Sequence, residues 1–255
     1  MLLTIDIGNT SIAFGVYKGK ELAAHFRMGT LKDRGVDEYT VFLRCLLSSK
    51  GISLDDIKDG IISCVVPPLL ETMKEVCKGC FGMTPLVVGE DIDAGMPVLY
   101  DNPREVGADR IVNAVAGYEK YRQALIIIDF GTATTFDCVS QKGEYLGGAI
   151  SPGIAISAEA LFQRTSKLPK VDISRPQTAI GKNTVASMQS GLFFGYVSLV
   201  EGMVKRIKDE MKSSPLVIAT GGLAGLISHE TEVIEHVEPF LTLEGLRLIY
   251  GRHRV

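Results

Sequence analysis

The stretch "LLTIDIGNTSIAFGVYKGKEL", residues 2–22, returns in altered form as "LIIIDFGTATTFDCVSQKGEYL", residues 125–146. Each copy runs from apolar residues into Asp-x-Gly, then small hydroxyl residues, then a second β-rich run that closes in a Lys/Gly turn. Asp6 and Asp129 each have glycine two residues on (Gly8, Gly131), valine ten on (Val16, Val139) and glutamate fifteen on (Glu21, Glu144). Alternation broken at Gly8-Asn9-Thr10 reads as a β-hairpin with a tight glycine bend. Repetition over this distance is a duplication of domain size. The expectation is two α/β domains, residues 1–117 and 118–255, each opening on an acidic hairpin.

The remaining pattern fits that plan. Residues 36–49 read as an amphipathic helix stopped by Gly51. "DGIISCVVPP" gives a buried strand ended by prolines, with a helix over 69–78 and a short strand in "TPLVVGED". A turn at Asp101-Asn102-Pro103 leads into a helix from about Ala108, where Ile111, Val115 and Tyr118 keep helical spacing. In the second half a helix begins near Ile154, and residues 168–184 read as an ordered surface loop. Residues 191–212 form the clearest helix, with Leu192, Tyr196, Leu199, Met203, Ile207 and Met211 on one face. "LVIATGG" then predicts a strand, followed by a helix from Leu223, a strand in "VIEHVEPF" and a helix through "LEGLRLIY". Tyr250–Val255, with Arg252, His253 and Arg254, reads as a solvated basic tail.

Composition narrows the function. A net charge of −3 and a pI near 5.9 argue against a nucleic-acid partner that needs a broad positive field. The longest apolar runs, such as "ALIII" at 124–128, are too short for a bilayer, and the N-terminus lacks signal-peptide features. A cytoplasmic protein with no membrane partner is expected. Of the five cysteines only Cys77 and Cys80 form a CxxC, and with no second pair or nearby histidine they read as reduced thiols.

A bend of glycine and small hydroxyl residues exposes backbone N–H groups to an anion. The aspartate just before each bend would repel a bare phosphate, so the pairing makes chemical sense with a cation at hand. Two such hairpins can clamp one polyphosphate, with metal ions at the carboxylates. Gly221-Gly222, where "LVIATGG" meets a helix, leave room for a flat ring or sugar against the backbone. Other phosphate and nucleophile motifs fail. "AIGKNT" (179–184) has Pro176 where a P-loop needs glycine, no G-x-G-x-x-G occurs, and "AISPG" (149–153) lacks the first glycine of a nucleophile elbow.

"DIGNT", "DFGTATTFD" and "TGG" (220–222) together resemble the phosphate-1, phosphate-2 and adenosine motifs of the actin/hexokinase/Hsp70 ATPase superfamily. Within it, the N-terminal "DIGNT", "YDNPREVGADR" (100–110) and "GGAISPG" (147–153) look like the type III pantothenate kinase family. The resemblance covers essentially the whole chain. It implies two ribonuclease-H-like domains with the active site in the cleft between them, and ATP-dependent phosphorylation of pantothenate to 4'-phosphopantothenate, the first step towards coenzyme A. It further implies a homodimer, Mg²⁺, and a monovalent cation, K⁺ or NH₄⁺. Carried over by position, Asp6, Ile7, Gly8, Asn9, Thr10, Ser11, Ile12 and Ala13 form the first ATP loop, with Asp6 supporting Mg²⁺ directly or through water. Asp109, within Gly107-Ala108-Asp109-Arg110, matches the catalytic base, and Arg110 the grip on the pantothenate carboxylate. Tyr100 and Thr184 match further pantothenate contacts. Asp129 matches the monovalent-cation ligand, Gly131 and Thr132 the second ATP contact, and Gly221 and Gly222 the adenosine turn. These residue types suit phosphoryl transfer, where positioning and charge neutralisation supply most of the acceleration.

Overall fold

A computed structural model describes residues 1–253. The chain forms two compact units: Met1–Lys120 with the segment that starts at Phe240, and Tyr121–Pro239.

The first unit holds a five-stranded sheet in the order β3-β2-β1-β4-β5. Its strands are β1 (Leu2–Ile7), β2 (Ser11–Lys18), β3 (Glu21–Gly29), β4 (Asp59–Cys64) and β5 (Leu86–Val87). β1, β2 and β3 form an antiparallel meander, whereas β4 and β5 run parallel to β1. One sheet face buries Leu3, Ile5, Ile7, Ile12, Phe14 and Val16 with Tyr39, Leu43 and Leu47 of α1 (Val36–Ser49) and Leu69, Met73 and Val76 of α2 (Pro67–Phe81). Prolines at the first two positions of α2 lack N–H groups that would go unused there, and Gly82, at φ +65°, ends the helix in the left-handed region. α3 (Ala108–Tyr121) is buried without a break from Arg110 to Gly117, which its run of small and β-branched residues permits.

The second unit repeats this plan. Its sheet has the order β10-β9-β6-β7-β8, built from β6 (Leu125–Phe130), β7 (Ala133–Val139), β8 (Tyr145–Pro152), β9 (Leu216–Gly221) and β10 (His236–Val237). The meander β6-β7-β8 and the parallel partners β9 and β10 stand where β1-β2-β3, β4 and β5 stand in the first unit. Ile126, Ile128, Phe130 and Phe136 pack with Ile154 of α4 (Ile154–Arg164), with Phe193, Val197 and Val200 of α5 (Thr184–Met211), and with Ala224 and Ile227 of the short α6 (Ala224–Ser228). The duplication read from the two hairpins is thus a duplication of strand order.

Three expectations change. Assigning residues 118–255 to one domain puts the C-terminal helix with the second sheet. α7 (Leu241–His253) instead packs on β1, β2 and β4 of the first, placing Leu243 against Ala13 and Tyr17. Its Gly245 passes so close to α3 that a β-carbon there would lie 2.2 Å from the Val112 carbonyl oxygen. The expected solvated tail is helical as far as His253, since Arg252 donates to the Ala94 carbonyl (3.1 Å) and to Glu119 (2.9 Å); Arg254 and Val255 lie outside the described residues. Finally, α5 starts at Thr184 rather than 191, because the Asn183 side chain accepts from the Ala186 N–H at 2.9 Å and caps the helix there.

Candidate active site

The first hairpin closes through residues 8–11, between the paired Ile7 and Ile12. Gly8 N–H donates to the Ser11 carbonyl (3.1 Å), and Thr30 clamps the bend from β3's end, its hydroxyl donating to Gly8 O (2.6 Å) and its N–H to Thr10 O (3.0 Å). Asn9 and Thr10 face solvent. Ile7 and Ile12 belong to the core, so their side chains are out of reach of a ligand and only their backbone is on offer. Asp6 stands at the C-terminal end of β1, opposite Ala13 on β2 and opposite Ser63 on β4. It bears electrostatically on the neighbouring Cys64 thiol, which is pushed up chiefly by burial and further by the Asp6 and Glu90 charges.

In the same unit, Asn102 caps a single 3₁₀ turn, Pro103–Glu105, and its amide donates to Glu105 at 2.8 Å. Tyr100 precedes this turn and is exposed. α3 then begins at Ala108, and the Asp109 side chain folds back over its own helix start: Oδ1 accepts from the Arg110 N–H at 2.8 Å. A β-carbon on Gly107 would stand 2.6 Å from that oxygen, so glycine is what lets the carboxylate lie there. Burial pushes the Asp109 carboxyl above its ordinary value. The Arg110 N–H and guanidinium, and the residue's own N–H, pull the other way but do not win. A helix N-terminus alone would lower the value of a first-turn acid. Arg110 is itself buried, an unusual place for a guanidinium and one that keeps its charge undiluted by solvent.

The second hairpin is one residue tighter, closing through residues 131–133 between the paired Phe130 and Thr134. Gly131 N–H donates to Ala133 O (3.1 Å), and Gly153 N–H, at the entrance to α4, donates to Thr132 O (3.0 Å). Gly153 approaches so closely that a β-carbon would lie 2.3 Å from Thr132 O, so "GGAISPG" buttresses this loop. Gly131 and Thr132 are exposed; Asp129 is half-buried, between Thr135 on β7 and Thr220 on β9. Gly221, at φ +92°, adopts a conformation that side-chain-bearing residues avoid, and Gly222 follows it at the surface. Asp129, Gly131, Thr132, Gly221 and Gly222 therefore cluster at one end of the β6-β7-β9 ladder. Thr184 is the exposed first residue of α5, next to the capping Asn183. Gly181 of "AIGKNT" packs against the start of α5, where a β-carbon would meet Ser187 N at 2.3 Å.

Two features escaped the sequence reading. Asp137 is fully buried on β7 and accepts hydrogen bonds from Tyr145 OH (2.7 Å) and from Thr135 Oγ1 (2.9 Å), the hydroxyl opposite Asp129. The strand periodicity put Asp137 and Thr135 on one face, but only the β7–β8 pairing brings Tyr145 to them. The second is the pair of hydroxyls on the central parallel strands, Ser63 and Thr220, which only sheet register can reveal.

Among the described residues no three His, Cys, Asp or Glu side chains converge as a metal cage. A single carboxylate per loop suits a hydrated Mg²⁺ held mainly by substrate phosphates, and the donor set fits that ion better than zinc. No described helix is long and apolar enough to cross a membrane.

The family model for type III pantothenate kinase matches residues 2–206. The type III pantothenate kinase of Geobacter sulfurreducens is 60% identical over 254 residues, spanning 100% of both chains, and that of Pelobacter propionicus is 58% identical over the same span. Among solved structures, a Campylobacter jejuni protein described as a Baf family transcriptional activator superposes with a TM-score of 0.64 at 18% identity, covering 99% of this chain and 98% of that one. A Sinorhizobium meliloti protein described as a 2-dehydro-3-deoxygalactonokinase does so with a TM-score of 0.61 at 9% identity, covering 99% of each. At such identities these two share the fold and nothing more.

Proposed function

The chain belongs to the type III pantothenate kinase family and catalyses the ATP-dependent phosphorylation of pantothenate that opens coenzyme A biosynthesis; we propose that Asp109 is the general base of this reaction. The observation that carries the assignment is the Asp109 carboxylate, folded over Gly107 and raised in pKa by burial. A carboxylate whose pKa is raised is, in its ionised form, a better proton acceptor.

In the transfer, the primary hydroxyl oxygen of pantothenate bonds to the γ-phosphorus as the bond to the bridging oxygen breaks and ADP leaves. Asp109 orients that hydroxyl and takes its proton late, because a loose transition state demands little nucleophile activation early on. Arg110 holds the pantothenate carboxylate. Its fork of N–H donors can bind both carboxylate oxygens, which a lysine could not do. Tyr100 and Thr184 contribute further pantothenate contacts. The backbone of Asp6–Ala13, with Gly131 and Thr132, binds the phosphates, and Gly221-Gly222 support the adenosine. Mg²⁺, bound with the nucleotide and supported by Asp6 directly or through water, supplies neutralisation of phosphate charge. Asp129 holds the monovalent cation, K⁺ or NH₄⁺. The enzyme works as a homodimer in the cytoplasm, a reducing compartment.

The test is ADP release from ATP and pantothenate with Mg²⁺, comparing K⁺ or NH₄⁺ with Na⁺ as the sole monovalent cation. Turnover that requires both pantothenate and K⁺ or NH₄⁺ supports substrate and cation site together. Pantothenate-dependent turnover that is indifferent to the cation removes Asp129 from its role and leaves the rest.

A further inference from the structure

Ser63 is fully buried, and its hydroxyl has no hydrogen-bond partner. Its neighbours along β4, Gly60, Ile61 and Ile62, are buried and carry no side-chain polar atom. An alanine would fill this position without leaving a buried polar atom unpaired, so the fold gains nothing from the oxygen. The ladder shows what stands beside it. In the parallel pairing of β1 with β4, Ser63 is the register partner of Asp6, and in-register residues on adjacent strands project to the same face. The second unit repeats the arrangement with different residues: Thr220, 3% exposed, is the register partner of Asp129 on the equivalent strand β9. Each loop aspartate thus has a buried hydroxyl at its shoulder on the central parallel strand.

We propose that Ser63 is a positioning residue for Asp6, donating its hydroxyl proton to one oxygen of that carboxylate when metal–nucleotide binds and aiming the other at the phosphate-borne cation. This rests on the reading of Asp6 as the support for Mg²⁺. A hydroxyl donating to a carboxylate favours the ionised form and is among the stronger hydrogen bonds available. In a site with one carboxylate, the rotamer of that carboxylate decides where the cation sits. Ser63 fixes it from the rigid middle of the sheet rather than from a loop.

The experiment uses the full chain, with Mn²⁺–ADP as probe, and compares Ser63→Ala, Ser63→Thr and Asp6→Asn. Binding is measured by calorimetry, the Mn²⁺ environment by electron paramagnetic resonance, and stability by thermal melting without nucleotide. The expected result is that Ser63→Ala melts no lower than the parent, binds metal-free ADP unchanged, and binds Mn²⁺–ADP roughly five- to tenfold more weakly, about the loss of one charge-assisted hydrogen bond. Its Mn²⁺ spectrum should broaden, and Ser63→Thr, which restores the hydroxyl on a side chain the equivalent strand already carries, should recover both readouts. Parental Mn²⁺–ADP affinity and spectrum in Ser63→Ala, with Asp6→Asn impaired, would overturn the proposal. So would a lowered melting temperature with unchanged metal dependence, which is the mark of a purely structural serine. If Asp6→Asn itself binds Mn²⁺–ADP like the parent, the metal role of Asp6 fails first and takes this proposal with it.

Discussion

The Asp129 carboxylate occupies the space that a side chain on Gly221 would need: a β-carbon built there stands 2.6 Å from Oδ1 and 2.6 Å from the Phe130 carbonyl oxygen. The turn proposed for adenosine and the carboxylate proposed for the cation are therefore packed as one object. Gly221→Ala meets two backbone-level obstacles, the φ of +92° and the contact with Phe130. The expected cost is about 1–3 kcal/mol of stability. Because Asp129 must also move, ATP affinity should fall by roughly tenfold or more, a loss of about 1.4 kcal/mol. Calorimetric titration with ATP, set beside urea unfolding, separates the two effects.

Asp109→Asn keeps the shape of the carboxylate and the Arg110 N–H contact but removes the base. Turnover should drop by about a hundredfold to ten-thousandfold while ADP binding persists. Near-parental turnover would take Asp109 out of the base role.

The same residue sets a pH signature of its own. A base must be ionised, and burial raises the Asp109 carboxyl above the ordinary carboxylate value. kcat/KM should therefore decline as pH falls through that raised value, above the roughly 3.9 of a free aspartate. The sign for stability is opposite to that of a salt-bridged acid. A carboxyl raised by folding favours the fold while protonated, and this contribution disappears as pH rises from the unfolded towards the folded pKa. At neutral pH, Asp109→Asn should thus melt no lower than the parent, and a clear fall in melting temperature would contradict the burial argument.

Tyr145→Phe removes the 2.7 Å hydrogen bond to the fully buried Asp137. Losing a hydrogen bond to a buried carboxyl group should cost about 1–3 kcal/mol, read from the urea midpoint. Thr135, freed to rotate as Asp137 shifts, faces Asp129, so the K⁺ response should weaken along with stability.

Gly245→Val tests the docking of α7. A β-carbon at that position would lie 2.2 Å from the Val112 carbonyl, and the branched side chain is bulkier still. Overpacking of this kind should cost about 1–3 kcal/mol and make the region from Phe240 onward more sensitive to protease. Parental stability and digestion would mean that α7 can slide without loss.

What the sequence revealed and what it hid divide along a physical line. The two hairpins, α2 and α3 were legible because apolar period, proline and glycine act locally. β3 was legible too and was missed: "ELAAHFRMG" sets Leu22, Ala24, Phe26 and Met28 against Glu21, His25 and Arg27, the alternation of a strand paired with β2. Apolar periodicity starts α5 only at residue 191, seven residues late, whereas the Asn183 cap marks its true beginning. Within the site, the loop residues and Asp109 could be picked out from motif resemblance. Ser63, Thr135 and Thr220 could not, because what singles them out is the residue across the ladder, and register belongs to the folded sheet. Nor does "GAD" announce the direction of the Asp109 shift. A first-turn acid suggests a lowered pKa, and only the burial of the start of α3 reverses it.

The return of α7 to the first sheet makes that unit discontinuous in the chain, with all of Tyr121–Pro239 inserted before the helix that covers β1, β2 and β4. A ribosome, working from the N-terminus, therefore delivers the second unit whole before it supplies the piece that completes the first. Until then the β-meander carrying Asp6 has α1 and α2 on one face, and Tyr17 and Ala13 on the other without Leu243. The half of the enzyme made first is the half that must wait.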